Sequence, residues 1–104
     1  MIITNKALRI EIKNSQFNNK PSKKLAKILL EMIERYVNKF HSYLVNMSEI
    51  VEFSFSFIID KYKHFNWRVH EDAFTYFTYC IDFSTIQFLN IKRKESLNGN
   101  STIT

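Results

Sequence analysis

The residues with the clearest chemical potential form a short run of aromatic and hydroxyl side chains in the second half of the chain. The run comprises Phe74, Thr75, Tyr76, Phe77, Thr78 and Tyr79. Aromatic rings stack on unpaired bases for about 1–3 kcal/mol each, and hydroxyl groups hydrogen-bond phosphate oxygens or base edges. Three cations that can neutralise phosphates follow, namely Lys92, Arg93 and Lys94. The pattern indicates binding to opened nucleic acid. Its alternative is that the same aromatics fill the core of a helical bundle, which composition alone favours.

Catalytic and metal-binding patterns are missing from the sequence. His41, His64 and His70 are the only histidines, and their spacing matches no zinc or metalloprotease motif. The single cysteine, Cys80, lies in an apolar run and is interpreted as a structural thiol. One glycine in the whole chain cannot make a glycine-rich phosphate loop. We therefore predict that the protein is not an enzyme and needs no metal or other cofactor.

Composition limits the fold and the location of the protein. A chain of 104 residues with 45% hydrophobic residues makes one domain with a real core, and one glycine and one proline favour long helices. The net charge of +5 favours a polyanionic partner, although such an excess is also common on solvated surfaces. One cysteine excludes an intrachain disulfide and fits a reducing compartment. Because no apolar run reaches 18 residues and no signal peptide opens the chain, we predict a soluble cytoplasmic protein without membrane contact.

The elements that must position these side chains begin with a long amphipathic helix, predicted from about residue 23 to residue 45. Ser22 is its expected N-cap. Its apolar residues repeat at spacings of three and four, namely Leu25, Ile28, Leu29, Met32, Ile33, Tyr36, Val37 and Phe40. This spacing places them on one stripe that faces a core.

The second predicted element is a helix from Ser48 to Tyr62, with Ser48 as its cap and acids in its first turn. Residues 53–57 alternate with period two, which is typical of a strand, so helix and strand both remain open here. Read as a helix, the segment is apolar on two faces. A helix of this kind needs a partner on both faces, its own core and something outside.

The third long helix is predicted from Asp72 or Ala73 to Lys94, where the cations suit a helix C-terminus. Residues 96–104 are interpreted as a flexible tail with Gly99 as a stop, and residues 1–21 as an N-terminal arm of helical or extended structure. The predicted fold is all-α: a single domain of three main helices, residues 22–95, with this short arm.

The order of residues resembles region 2 of the sigma-70 family of transcription factors. In that family a core-binding helix ends in Phe, and a Tyr follows eleven residues later, as Phe65 and Tyr76 do here. The run from Thr75 to Ile81 is similar to the family's T-Y-A-T-W-W-I without a gap. The closest likeness is to late-gene sigma factors of T-even-type bacteriophages, whose opening and basic helix end resemble residues 4–8 and 92–95.

The resemblance implies a protein that binds core RNA polymerase and melts an AT-rich −10-like promoter element. The helix from Ser48 would contact the clamp helices of the largest subunit of bacterial RNA polymerase through Glu49, Glu52 and Phe53. On the DNA side, Tyr76 would stack on a flipped adenine and Tyr79 would begin the wedge. The remaining DNA contacts are expected from Thr78, Lys92, Arg93 and Lys94.

Departures from the family pattern keep two alternatives open. Cys80 replaces a wedge tryptophan, Asp82 stands where the family has a DNA-facing arginine, and Phe83 and Ile86 replace polar readers. A carboxylate beside phosphate is repulsive. The sequence ends before any domain that could read a −35 element, so the expectation is either that a separate co-activator subunit supplies that function or that this chain is a fragment. The alternatives are a sigma mimic that binds polymerase and inhibits host transcription, and a helical interaction module that binds no DNA.

Overall fold

The protein is described by a computed structural model that covers residues 4–41, 47–66, 68–70 and 72–103, with side chains up to Ser96. The described residues contain four α-helices, one 3₁₀ turn and no strand. The elements are α1 (Asn5–Asn18), α2 (Lys23–Phe40), α3 (Met47–Ile58), the 3₁₀ turn (Lys61–His64) and α4 (Ala73–Ile103). This arrangement confirms the predicted all-α single domain.

The N-terminal arm is a regular helix that belongs to the core. Thr4 caps α1 by accepting a hydrogen bond from the Ala7 amide at 3.1 Å, and Asn19 ends it in the left-handed conformation at φ 56°. Leu8 and Ile12 are fully buried. Their spacing of four residues is helical, which resolves the choice between helix and strand that this segment left open.

The helix α2 begins where the sequence predicted. The Ser22 hydroxyl accepts a hydrogen bond from the Leu25 amide at 3.0 Å and donates one to Glu11 at 2.9 Å. The buried residues of α2 are Leu25, Ile28, Leu29, Met32, Ile33 and Val37, which confirms most of the predicted stripe. Phe40, which was also assigned to that stripe, is 53% exposed. The helix ends at Phe40, and the predicted continuation from 42 to 45 lies outside the described residues.

The middle segment is the helix α3 and not a strand. Its buried residues, Ile50, Ser54 and Ile58, are four residues apart and face the core. The Ser48 cap was wrong, because α3 already begins at Met47. Phe53 and Phe57 form the second apolar stripe and contact α4. Both apolar stripes of α3 therefore pack within the chain, and Phe53 and Phe57 stay partly exposed.

The helices α3 and α4 run antiparallel with their side chains in register. The pairs along this contact are Glu49 with Lys92 at 2.6 Å, Phe53 with Phe88 at 5.5 Å between ring centroids, and Phe57 with Phe83 at 5.7 Å. Because residue numbers rise along α3 while they fall along α4, each step of about one turn meets the next partner. The pairing fixes which residues of α4 remain on the outer surface.

The helix α4 starts at a strong cap. Asp72 accepts hydrogen bonds from the Thr75 amide at 3.0 Å and the Thr75 hydroxyl at 2.8 Å. The hydrogen bond from the Thr75 backbone N–H holds the pKa of the Asp72 carboxyl below its ordinary value. Ala73, Phe77 and Ile81 are buried at intervals of four residues. The helix continues past Ser96, where a tail was predicted, to Ile103.

The connection between α3 and α4 is fastened to α1. The Gln16 side-chain amide donates to the carbonyl oxygens of Tyr62 at 2.8 Å and Phe65 at 3.0 Å. Both rings are buried, at 0% and 4% exposure. This contact holds Phe65 against the first turn of α4 and so fixes the surroundings of Tyr76.

Candidate nucleic-acid interface

Four residues of the predicted aromatic and hydroxyl run line one shallow groove on the outer face of α4. They are Phe74, Thr75, Thr78 and Tyr79, and the groove has a volume of about 310 Å³. Tyr79 is 72% exposed and Phe74 is 42% exposed. Ala73 and Phe77 face inward, and the four groove residues, one or two positions after them on the helix, lie away from this buried stripe. The run is thus divided, with Phe77 in the core and the groove residues on the surface.

The threonine hydroxyls in this groove already have acceptors. Thr78 donates to the Phe74 carbonyl at 2.8 Å, and Thr75 donates to Asp72. A phosphate oxygen needs a donor, and each hydroxyl has only one hydrogen. In this arrangement Thr78 offers a nucleic acid its oxygen as an acceptor, as for a base amino group, which leaves the base-edge contact of the two contacts that the sequence predicted.

Tyr76 lies beside the groove in a separate aromatic cluster. Its ring centroid is 5.2 Å from Phe65, 4.9 Å from His70 and 5.2 Å from Phe77. Burial, followed by the neighbouring Cys80, raises the pKa of Tyr76 above its ordinary value. The half-buried ring is therefore part of the packing that attaches the connection to α4. Of Tyr76 and Tyr79, it is Tyr79 whose ring is presented to solvent.

The basic end of the interface is only partly available to phosphates. Lys92 forms ion pairs with Glu49 at 2.6 Å and Glu95 at 3.4 Å, and the hydrogen bond to Glu49 raises the pKa of Lys92. Arg93 and Lys94 are exposed and line a separate groove of about 360 Å³. Fourteen residues from Tyr79 to Arg93 span about 21 Å of helix, or about six base pairs of duplex at 3.4 Å each. Stacking and these phosphate contacts would therefore act on different nucleotides.

The three residues predicted to bind polymerase lie within about one turn of α3 and have different contacts. Glu49 pairs with Lys92, and Phe53 is half-buried against Phe88. Glu52 is exposed and lines a groove of about 400 Å³ between α2 and α3. The other residues of this acidic and apolar groove are Glu34, Asn38, Met47, Ser48 and Val51. The three residues lie at positions i, i+3 and i+4 of one helix and are therefore neighbours along it, with Glu52 the most exposed of them.

The structure explains the acid at position 82. The Tyr36 hydroxyl on α2 donates a hydrogen bond to the Asp82 carboxylate on α4. Burial and then this carboxylate raise the pKa of Tyr36 from 10.0 to about 12. Asp82 is therefore turned toward α2 and joins two helices, whereas the family's residue at this position was expected to face DNA. The two residues are 46 positions apart, so no local pattern could have revealed the contact.

Sequence reasoning also missed a groove between α2 and α4. It is lined by Met32, Arg35, Tyr36, Lys39, Phe40, Phe74, Thr78 and Ile81, and its volume is about 310 Å³. The Lys39 ammonium nitrogen lies 5.2 Å from the centroid of the Phe40 ring. The sequence held one signal for this groove, which was Phe40. It is a large aromatic residue at the very end of α2, where a side chain is less firmly buried in the core. This groove shares Phe74 and Thr78 with the groove that contains Tyr79.

Two further findings concern the described part of the chain. Within it, no three His, Cys, Asp or Glu side chains are grouped so that they could hold a metal ion. None of its helices combines the length and apolar character that crossing a membrane requires.

Comparison with models of known protein families, with curated proteins and with solved structures finds no match.

Proposed function

We propose that this chain is a minimal phage-type sigma factor, which binds core RNA polymerase and helps to melt an AT-rich promoter element. The observation that carries the proposal is the groove of Phe74, Thr75, Thr78 and Tyr79, with two exposed aromatic rings on one outer helix face. Large aromatics on a surface, beside polar groups, mark a binding site more often than chance exposure does.

The energetics of this face suit the capture of unpaired bases. Stacking contributes about 1–3 kcal/mol per base, and extruding a base costs a few kcal/mol, least at weak A·T steps. Two rings, Phe74 and Tyr79, can thus offset the cost of opening one or two A·T pairs. Arg93 and Lys94, about 21 Å from Tyr79, would bind phosphates of the flanking duplex. No hydrolysis is required, because binding alone supplies the free energy.

On the polymerase side, the groove between α2 and α3 supports Glu52 as the main contact among the three proposed. Glu34 and Glu52 give this groove negative charge, and Met47 and Val51 give it an apolar floor. Such a surface suits a basic helical segment of the largest polymerase subunit. Glu49 would contribute only by exchanging its bond to Lys92 for one to polymerase. The protein would act in the cytoplasm of the bacterial host, where its polymerase resides.

The test of polymerase binding is co-purification of the tagged chain with core bacterial RNA polymerase. Glu52→Lys should abolish retention, because it reverses the charge of an exposed residue without disturbing the core. Glu95→Lys changes the net charge equally on α4 and should be retained as wild type is. If the wild-type chain is retained by the polymerase of none of the plausible hosts, the proposal is refuted.

The test of base capture at the promoter is binding of the chain–polymerase complex to a forked promoter fragment with an unpaired AT-rich segment. Tyr79→Ala should weaken binding about tenfold, within the range for loss of one stacked base. Tyr79→Phe keeps the ring and should bind as wild type does. Equal binding by all three proteins would show that Tyr79 does not contact the opened strand.

One alternative function is favoured by a specific observation. Lys92 is neutralised by Glu49, and Tyr76 is held in the aromatic cluster, so two residues of the proposed DNA site are engaged within the chain. A sigma mimic that occupies polymerase and inhibits transcription would need neither. Retention on polymerase without salt-sensitive binding to the forked fragment would support the mimic.

A further inference from the structure

The groove between α2 and α4 adjoins the proposed stacking site and shares Phe74 and Thr78 with it, while its other residues have no role in the proposed function. It is lined by three aromatic rings, Tyr36, Phe40 and Phe74, and by the cationic side chains Arg35 and Lys39. Its volume of about 310 Å³ is at the lower end of the range for ligand sites, which suits a single small planar group. We infer that this groove holds one unpaired nucleotide, with the base against Phe40 and Phe74 and the phosphate at Lys39.

The charges around the groove favour an anionic partner over an apolar or basic one, and the placement of a cation beside an aromatic ring favours a nucleotide among the anionic partners. Arg35 pairs with Glu31 at 2.6 Å, which compensates much of its charge. Lys39 is exposed and lies above the Phe40 ring, so its ammonium group stands beside the surface on which a base would stack. A cation placed next to an aromatic ring is the arrangement that binds single strands, because each nucleotide supplies one base that stacks on the ring and one phosphate that pairs with the cation.

The α2–α4 groove is continuous with the outer groove of α4. Phe74 and Thr78 line both grooves, so the Tyr79 ring lies on one side of them and the Phe40 ring on the other. A strand whose base stacks on Tyr79 can therefore place a neighbouring nucleotide in the α2–α4 groove without leaving the surface. The inference rests on the proposed function only for the source of this strand, the opened promoter.

The exposure of Phe40 makes the inference testable without unfolding the protein. Its ring is 53% exposed, so truncation removes less buried contact than a core substitution would. Phe17 on α1 is 90% exposed and supplies the same chemical change away from the groove. Lys27, twelve residues before Lys39 on α2, is exposed and lies about 18 Å away along the helix. These two positions give matched controls for ring and charge.

The experiment measures binding of a short labelled oligothymidylate to the isolated full chain by fluorescence anisotropy. An abasic oligonucleotide of equal length provides phosphates without bases. Phe40→Ala should weaken oligothymidylate binding about tenfold, or about 1.4 kcal/mol, and leave binding of the abasic strand unchanged. Lys39→Gln should weaken both and lower the salt dependence by about one charge. Phe17→Ala and Lys27→Gln should match wild type, and circular dichroism should show all variants folded.

Several outcomes would overturn the inference. They are no binding of oligothymidylate by wild type, equal losses for Phe40→Ala and Phe17→Ala, or equal losses on the two strands for Phe40→Ala. Retention on polymerase, measured with the same variants, separates this failure from failure of the proposed function. A wild-type chain that binds oligothymidylate through Phe40 but not polymerase sustains the groove and refutes the sigma-like function. If Phe40→Ala loses retention on polymerase but binds oligothymidylate as wild type does, the groove is a protein contact and the inference that it holds a nucleotide is refuted.

Discussion

Replacing Tyr36 by phenylalanine removes one hydroxyl group from the contact between α2 and α4. The hydroxyl donates its hydrogen to Asp82. A hydrogen bond to a charged group contributes about 1.5–3 kcal/mol to stability. Since Tyr36 is only partly buried, we expect Tyr36→Phe to lower the free energy of unfolding by a value near the lower end, about 1.5 kcal/mol.

The raised pKa of Tyr36, caused first by burial and then by the Asp82 carboxylate, sets an upper limit for this contribution. The rise from 10.0 to about 12 is about two units. At 1.36 kcal/mol per unit this corresponds to at most about 2.7 kcal/mol, and screening by solvent at a partly exposed site reduces it to about 1–1.5 kcal/mol. The folded state therefore prefers the protonated phenol, first because the ring is partly buried and second because the hydroxyl donates to Asp82.

The sign of the pH dependence follows from this preference. Below pH 10 the phenol is protonated in both the folded and the unfolded chain, so the contribution is fully present. Between pH 10 and about 12 the unfolded chain loses the proton first, and the stabilisation falls as pH rises. Above about pH 12 both states are ionised and the contribution is gone. The difference between wild type and Tyr36→Phe should therefore shrink as pH increases from 10.

Urea denaturation followed by circular dichroism at pH 7.5 and at pH 11 measures this difference. Tyr79→Phe is the matched control, because it removes the same hydroxyl from a residue that is 72% exposed, and its stability should stay within about 0.5 kcal/mol of wild type. If Tyr36→Phe is as stable as wild type at pH 7.5, the contact between Tyr36 and Asp82 does not stabilise the fold. If its deficit is equally large at both pH values, the reasoning from the pKa is wrong.

Three further predictions concern the core, a cap and the thiol. Phe77→Ala should cost about 3–5 kcal/mol because Phe77 is fully buried, whereas Phe17→Ala should leave the urea midpoint nearly unchanged; similar midpoints would contradict the assignment of Phe77 to the core. Ser22→Ala removes the α2 cap and should cost about 1 kcal/mol, which calorimetry would detect as a melting temperature lower by about 4–8 °C. Burial raises the pKa of the Cys80 thiol, so its alkylation rate should rise only above the ordinary cysteine pKa, and an inflection at lower pH would refute this.

The sequence was sufficient where a pattern is local. The stripe from Leu25 to Val37 and the Ser22 cap required only the helical repeat and one hydroxyl, and both agree with the structure. Residues 53–57 were ambiguous, because alternating phenylalanine and serine satisfy period two while the flanking residues satisfy the helical period. Tertiary packing decided for the helix, since Phe53 and Phe57 both find partners on α4.

The candidate site divides in the same way. Its residue types, an aromatic and hydroxyl run with cations beyond it, were evident from the sequence, and so were the residues that could stack or carry charge. The sequence could not show that Phe77 would be buried while Tyr79 is exposed, or that Lys92 would be neutralised by Glu49. It also could not show that Phe40 and Phe74 would line one groove.

The physical reason is the range of the forces involved. Helix formation and capping depend on neighbours within about four residues, so the amino-acid sequence alone is enough to predict them. Which face of α4 is covered depends on the antiparallel register with α3, and the acid at position 82 is explained only by a tyrosine 46 residues away. Such contacts join residues that are distant in sequence, and only the folded chain brings them together.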